Sequence, residues 1–281
     1  MSVIIPCFNS EKTILRALCS VKEQTLPVKE IICIDDCSTD NTVKIIKEFI
    51  TDHPYVPVKL VKNTVNRGPS FSRNTGWNLA QENYIAFLDS DDTWHHQKVF
   101  FQYSWMLEHP EISLCGHLNV IVDESTTSSN KSTVFDSLGT QKNQRVDYKR
   151  SQNEFLSCFR VIVSNPFVTP SVMLKKNINS RFNINQRYCE DHLLWMQLCC
   201  SGNRAAILNI ELAYVHKQPA SLSTNRWKMR QGEIQAYFHV CNSRGILYLL
   251  LPILVFFSIL KYIRLETLFF LRKIIPVISI F

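Results

Sequence analysis

The chain has 281 residues, enough for a large core, and only 7 glycines, which counts against a Gly-rich dinucleotide fold. Its net charge of +7 is concentrated from Arg226 onward, where eight basic residues stand against two acidic ones. The part before Arg226 is nearly neutral, so the spread of basic charge expected of a nucleic-acid binder is missing.

Met1-Ser2 leads directly into the apolar run Val3-Ile4-Ile5, with no basic stretch ahead of it, so no export signal is read here. Ten cysteines are scattered without zinc-site or small-scaffold spacing, and they are expected as reduced thiols in a cytoplasmic compartment. Ser2 to Pro6 reads as a short strand, and Asn9-Ser10 as the cap of a helix over 11–24 carrying Ile14, Leu15, Leu18 and Val21 at helical spacing. Glu30 to Asp36 repeats the pattern, an apolar strand ending in acids, and Ser38-Thr39-Asp40 caps a second helix. Val58 to Val61 is a third strand, and a helix spans 70–81 after Asn66-Arg67-Gly68. Tyr84 to Leu88 is a fourth strand, ending in Asp89-Ser90-Asp91-Asp92. Strands alternating with helices of this length predict βαβ units and a parallel sheet.

Gln97 to Glu108 is expected as helix and Ile112 to Val122 as strand, followed by a polar excursion over 123–149. A helix near 151–160, a strand over 166–174 flanked by prolines, a helix over 190–200 and a strand over 205–215 complete the first unit, taken as 1–222. The second unit, 223–281, is a basic and apolar helical tail. Its uncharged run 246–260 is shorter than the roughly 20 residues of a spanning helix. Lys261, Arg264 and Arg272-Lys273 interleave with bulky apolar residues, the pattern of helices lying in a membrane interface. Helices packed on the domain, or a true span, are the alternatives.

Three carboxylates within four residues at a strand's carboxyl end lie where open α/β sheets bind ligands. Asp89 and Asp91 point the same way in extended chain, and their mutual repulsion calls for a cation or donor between them. Hard oxygen ligands suit Mg2+ or Mn2+. An isolated pair of this kind is more often a solvated turn.

SVIIPCFN at the start, IDDCSTDNT after the second strand, NRGPSFSRNTG, LDSDDTW after the fourth strand and CEDHLLW occur in order. Together, from Ser2 to about Val215, they resemble the family 2 inverting glycosyltransferases of the GT-A fold. Cys37 stands where that family usually has Gly, and His96 where it often has Pro. The resemblance implies a Rossmann-like, mostly parallel sheet flanked by helices. It also implies transfer of a sugar from a nucleotide-sugar donor, most often UDP-linked, with Mn2+ or Mg2+ on the diphosphate. Asp89, Asp91 and Asp92 would hold or position the metal, Asp91 first, with Ser90 beside the donor. Asp36 would accept from the base, with Asp35 as a structural neighbour. Pro6 and Phe8 would line the base pocket, unless Phe8 is core. Arg73 would meet the diphosphate or the base, or else form a helix-surface salt bridge. Asp191 would be the general base and Glu190 would orient hydroxyls, although both acids also suit a helix N-terminus. Trp195 would stack on a sugar or pack in the core. His216 would be a third metal ligand or a surface histidine.

The function so implied is sugar transfer to a glycan or lipid-linked acceptor of the cell envelope. The enzyme would work at the cytoplasmic face of a membrane that the tail contacts. A nucleotidyltransferase and a catalytically silent sugar-binding scaffold are the rival readings.

Overall fold

Both faces of the first two apolar runs are covered, which is why neither run alternates with polar residues. In the computed structural model, which describes residues 1–123, 153–217, 225–243 and 245–278, Ile4 of β1 (Ser2–Cys7) packs with Ile32 and Ile34 of β2 (Glu30–Asp35). Val3, Ile5, Ile31 and Cys33 pack on the opposite face. The remaining strands are β3 (Val58–Lys62), β4 (Tyr84–Phe87), β5 (Thr93–Trp94), β6 (Ile112–Asp123), β7 (Glu154–Leu156), β8 (Met173–Lys175) and β9 (Arg204–Lys217). They form one sheet in the order β3-β2-β1-β4-β8-β6-β9-β5, with β7 paired to β9. Parallel pairing holds in β3-β2-β1-β4 and between β6 and β9. Strand β8 is antiparallel to both β4 and β6, and β5 and β7 are antiparallel to β9.

Helices α1 (Ile14–Lys22), α2 (Thr42–Asp52) and α4 (Lys98–Glu108) cover one face through Leu18, Phe49 and Trp105. Helix α3 (Pro69–Leu79) covers the other through Trp77 and is joined there by α5 (Cys158–Val163) and α6 (Glu190–Cys200). Gly76 lets α3 lie against β1, since a Cβ there would fall 2.4 Å from the Ile4 side chain. The α/β architecture with flanking helices is therefore as the sequence implies.

Several local expectations are corrected. The helix expected near 151–160 is strand β7 followed by the short α5, capped by Ser157 Oγ accepting from Arg160 N at 3.1 Å. Of the strand expected over 166–174, only Met173–Lys175 overlaps a ladder; Thr169–Ser171 is a 3-10 turn. Pro166 and Pro170 have no N–H to give a ladder. Cys158 and Cys200 are disulfide-bonded, fastening α5 to α6, while the other eight cysteines are free. No spacing in the sequence signals this pair, because the contact comes from packing. The polar excursion expected over 123–149 lies outside the described residues, apart from Asp123.

A boundary at residue 222 cuts through one core. Ala236, Tyr237, Val240 and Cys241 of α7 (Arg226–Ser243), with Leu251 and Leu254 of α8 (Leu251–Ile278), belong to the same apolar cluster as Trp77 and Leu194. Gly232 brings α7 onto the chain ahead of α6; a Cβ there would meet the Tyr188 carbonyl oxygen at 2.5 Å. Glu233 is buried between α7 and α8, bonded to Arg230 and the Ser258 hydroxyl, with Lys261 Nζ at 3.3 Å. Burial opposes its charge, but Ser258, Arg230 and Lys261 outweigh that and hold the carboxyl below its ordinary range. Lys261, expected among the cations facing lipid, pairs with Glu233 while its side chain stays 42% exposed. Among the described residues no helix is long and apolar enough to cross a membrane.

Candidate active site

Strands β2, β1 and β4 are adjacent and parallel, so the segments that follow them leave the sheet at one edge. A cavity of about 1540 Å³ opens there. Pro6, Phe8, Asp36, Arg73 and residues 89–92 line it, together with Thr169, Glu190, Asp191 and His216. Phe8 is 49% exposed, so it lines the cavity and is not core.

Of the two acids after β2, Asp35 is 1% exposed and absent from the cavity wall, whereas Asp36 is part of it. The Asp36 carboxylate accepts from Asn63 Nδ2 at 2.8 Å and from the backbone N–H groups of Arg67 and Gly68 at 3.1 and 2.7 Å. It therefore gathers the loop after β3 around the end of β2. Cys37, just beyond, has φ 67°, the left-handed conformation that explains why the resembled family usually has Gly there.

Asp89, Asp91 and Asp92 lie on a tight turn closed by Asp92 N donating to Asp89 O at 3.0 Å. Ser90 Oγ is 2.7 Å from Ser10 Oγ, and Arg16 Nη2 donates to the Asp91 carbonyl at 2.6 Å. Burial and the neighbouring Asp89 push the Asp91 carboxyl up to about 6. Burial, with Asp89 and Asp91, pushes Asp92 up to about 8. The turn thus holds more negative charge than its surroundings balance. Its hard oxygens and mutual repulsion fit Mn2+ or Mg2+ shared with a diphosphate. They do not make a protein cage: among the described residues no three His, Cys, Asp or Glu side chains converge to hold a metal.

His216 is 8% exposed and so is not a surface histidine. Its backbone N–H donates to Asp92 Oδ1 at 2.9 Å, and its Nε2 lies 3.1 Å from Thr93 Oγ1. The end of β9 is tied to the acidic turn by these contacts.

Arg73 is not a surface helix residue. Its side chain is 6% exposed, with Nη2 on Asp89 Oδ1 at 2.7 Å and Nη1 on Glu190 Oε1 at 2.9 Å. Burial works against its charge, but the two carboxylates hold the guanidinium above its ordinary range. With both terminal nitrogens engaged, Arg73 spans the acidic turn and the start of α6: of the readings open in the sequence, the salt bridge is present, but buried at the cavity and not on the helix surface.

Cys189 enters α6 in the left-handed region at φ 55° and carries the chain into Glu190 and Asp191. Asp191 Oδ1 accepts from His192 N at 2.7 Å, and Thr169 Oγ1 is 3.5 Å from Oδ2. Burial raises the Asp191 carboxyl above the carboxylate range, against the hydrogen bond from His192. Burial also raises Glu190, against the pull of Arg73. An acid held above its usual range at a cleft wall suits proton abstraction. Of the two readings of Trp195 the core one holds and the sugar-stacking one does not: it is fully buried, edge-on to Phe167 and Phe182.

Sequence reasoning gave no role to Asn63, Arg16 or Thr169. Each meets its acid across 22 to 75 residues, and no local pattern encodes such a contact. Lys98 was missed as well. It is fully buried with Nζ 3.7 Å from the Trp94 ring centroid, and burial pushes the amine well below its ordinary range.

The family model of Glycosyl transferase family 2 matches residues 2–165. The Escherichia coli UDP-Glc:alpha-D-GlcNAc-diphosphoundecaprenol beta-1,3-glucosyltransferase WfgD is 29% identical over 91% of this chain and 92% of its own. WfaP of Escherichia coli, a glucosyltransferase of the same description, is 30% identical over 88% and 87%. The putative teichuronic acid biosynthesis glycosyltransferase TuaG of Bacillus subtilis is 28% identical over 81% and 83%. Among solved structures, S. aureus TarS 1-349 in complex with UDP-GlcNAc superposes with TM-score 0.65 at 21% identity, over 86% of this chain and 66% of its own. The mannosyltransferase PcManGT of Pyrobaculum calidifontis, in complex with GDP-Man and Mn2+, gives 0.62 at 16% identity, over 92% and 72%. These two likenesses show the fold. With the family model covering more than half the chain, this protein belongs to glycosyl transferase family 2 and is a glycosyltransferase.

Proposed function

We propose that the protein is an inverting transferase that moves a sugar from a nucleoside diphosphate donor, UDP-linked by analogy with WfgD and WfaP, to a hydroxyl of a lipid-diphosphate-linked or glycan acceptor in cell-envelope polysaccharide synthesis. The observation carrying this reading is the Arg73 bridge, which holds the acidic turn and the Asp191 helix on one cavity. In this reading Pro6, Phe8 and Asp36 receive the base. Asp91 would hold the divalent ion together with the donor diphosphate, Asp89, Asp92 and His216 border the site without converging on the ion, and Ser90 borders the donor. Such an ion, when bound, neutralises charge growing on the leaving diphosphate. Asp191 takes the proton of the acceptor hydroxyl as that oxygen attacks the anomeric carbon from the face opposite the diphosphate. Glu190, held by Arg73, orients hydroxyls nearby. All the acids this chemistry needs are present, so the silent scaffold has no support.

Thermal melts with a panel of nucleotide sugars test the donor. A UDP-sugar at about 100 times its Kd should stabilise the protein by about 2.7 kcal/mol with Mn2+ or Mg2+ present, and by less with chelator. No stabilisation by any nucleotide sugar would reject the reading.

The membrane part rests on α8. Leu251, Leu254 and Ser258 face the domain, while Ile253, Phe256, Phe257 and Leu260 are 42–58% exposed. An apolar ridge of this kind on a basic tail suits the cytoplasmic surface of an anionic bilayer. Phe256→Glu with Phe257→Glu should release the full chain from sedimenting anionic vesicles without moving its melting temperature. Unchanged sedimentation would reject the membrane contact.

A further inference from the structure

The same cavity also has a lining of different chemistry, from the segment ahead of α6 and the start of α7. There the lining residues include Ile184, Arg187, Tyr188, Arg226 and Met229. Arg187 is exposed, and no hydrogen bond or ion pair engages it among the described residues. Its place is nonetheless fixed. Gln186, 2% exposed, donates from Nε2 to the Tyr188 and Gly232 carbonyls at 2.7 and 2.8 Å, pinning the turn that carries Arg187. Arg226 opens α7, and the Cys189 thiol donates to the Met229 carbonyl at 3.3 Å. The first turn of α7 is thereby held beside the start of the Asp191 helix. The positive end of the α7 dipole adds to the charge there.

A sugar hydroxyl alone gives no reason for two arginines on that wall. Guanidinium groups match phosphate oxygens in paired hydrogen bonds. Exposed apolar side chains stand close to both arginines in the chain. Ile184 is 57% exposed and Trp227 is 50% exposed, the latter 5.3 Å from the Tyr262 ring of α8. One cavity thus carries the Asp191 carboxylate, two arginines and an exposed Ile184, with Trp227 next to Arg226 against α8: the three chemistries that the hydroxyl, diphosphate and hydrocarbon of a lipid-diphosphate-linked sugar would meet.

We propose that Arg187 and Arg226 bind the diphosphate of the acceptor and so present its sugar hydroxyl to Asp191. This rests on the lipid-diphosphate acceptor of the proposed function, and it adds the residues that recognise it. The diphosphate of the donor has the same chemistry, so the test must separate the two.

Transfer from the donor chosen by the panel above would be measured to decyl-diphosphate-linked N-acetylglucosamine and to the decyl glycoside of the same sugar. The proteins are wild type, Arg187→Ala, Arg187→Lys, Arg226→Ala and Arg226→Lys, with UDP affinity measured for each by calorimetry with Mn2+. Each alanine variant should raise KM for the diphosphate acceptor about 10- to 100-fold. Transfer to the decyl glycoside and UDP affinity should stay as in wild type, and the lysine variants should recover part of the loss. Retained UDP affinity also reports an intact fold, and the lysine variant decides at a position where alanine unfolds the chain. An unchanged KM for the diphosphate acceptor in the variants overturns the subsite alone. So does UDP affinity falling in step with KM, which would assign the arginines to the donor. Wild-type protein that transfers to neither acceptor overturns the acceptor reading, and the subsite with it.

Discussion

Replacing Asp191 by Asn is expected to lower sugar transfer by about 10²–10⁴-fold while UDP still binds, the loss typical of a removed general base. Asn keeps the size of the side chain and an oxygen to accept from His192 N, a bond of 2.7 Å in the native chain. The packing of α6 should therefore survive, and the deficit should fall on kcat. The pH profile supplies the second reading. A base must be a carboxylate to accept a proton, so activity is lost as pH falls through its pKa. Burial raises the Asp191 carboxyl, which places the acid limb of kcat/KM above the value of about 4 usual for Asp. Full transfer by the Asn variant, or a wild-type profile flat down to that pH, would remove Asp191 from the role.

Replacing Arg73 by Ala should damage both fold and chemistry. The side chain is 6% exposed and its removal strands the Asp89 and Glu190 carboxylates, themselves 27% and 13% exposed. Breaking a buried ion pair by removing one partner costs about 3–5 kcal/mol. Partial exposure of Asp89 argues for the lower end, a drop in melting temperature of roughly 6–10 °C in a chain of this size. Transfer at a permissive temperature should still fall at least about 10²-fold, because the acidic turn and the base helix lose their shared anchor and small misplacements are costly. Lys carries the charge without the fork that reaches two carboxylates, so Arg73→Lys should recover part of the stability and little of the rate. An alanine variant that melts with wild type would show that the bridge holds nothing.

How far the sequence can be read depends on the distance over which each feature is decided. The strands β1, β2 and β4 and the acids that follow them are local, since burial on both faces writes continuous apolar runs and the chain direction sets where Asp36 and Asp89 emerge. Helix α6 is legible for the same reason. Arg73 is recognisable as a candidate, but its role is not, because it is settled by Glu190, 117 residues away. Trp195 has the spacing of a residue one turn past the base, and only the packing of Phe167 and Phe182 shows that this side points inward. Strand β8 hides behind prolines, and the Cys158–Cys200 bond follows from how α5 meets α6. The tail looks separate because its composition changes, yet composition does not reveal that Tyr237 and Leu254 complete the core under α6.

The mixed sheet also sets an order of events during synthesis. Strands β1 to β4 can pair as soon as they emerge, but the far edge of β4 takes its partner from Met173–Lys175, and β5 waits for Ala213 and Tyr214. At roughly 5–20 residues per second, β4 stands with one edge unpaired for on the order of 5–20 s on the ribosome. Unpaired edges invite pairing with other chains. The nascent N-terminal half is therefore a stage at which an open strand edge is exposed to other chains.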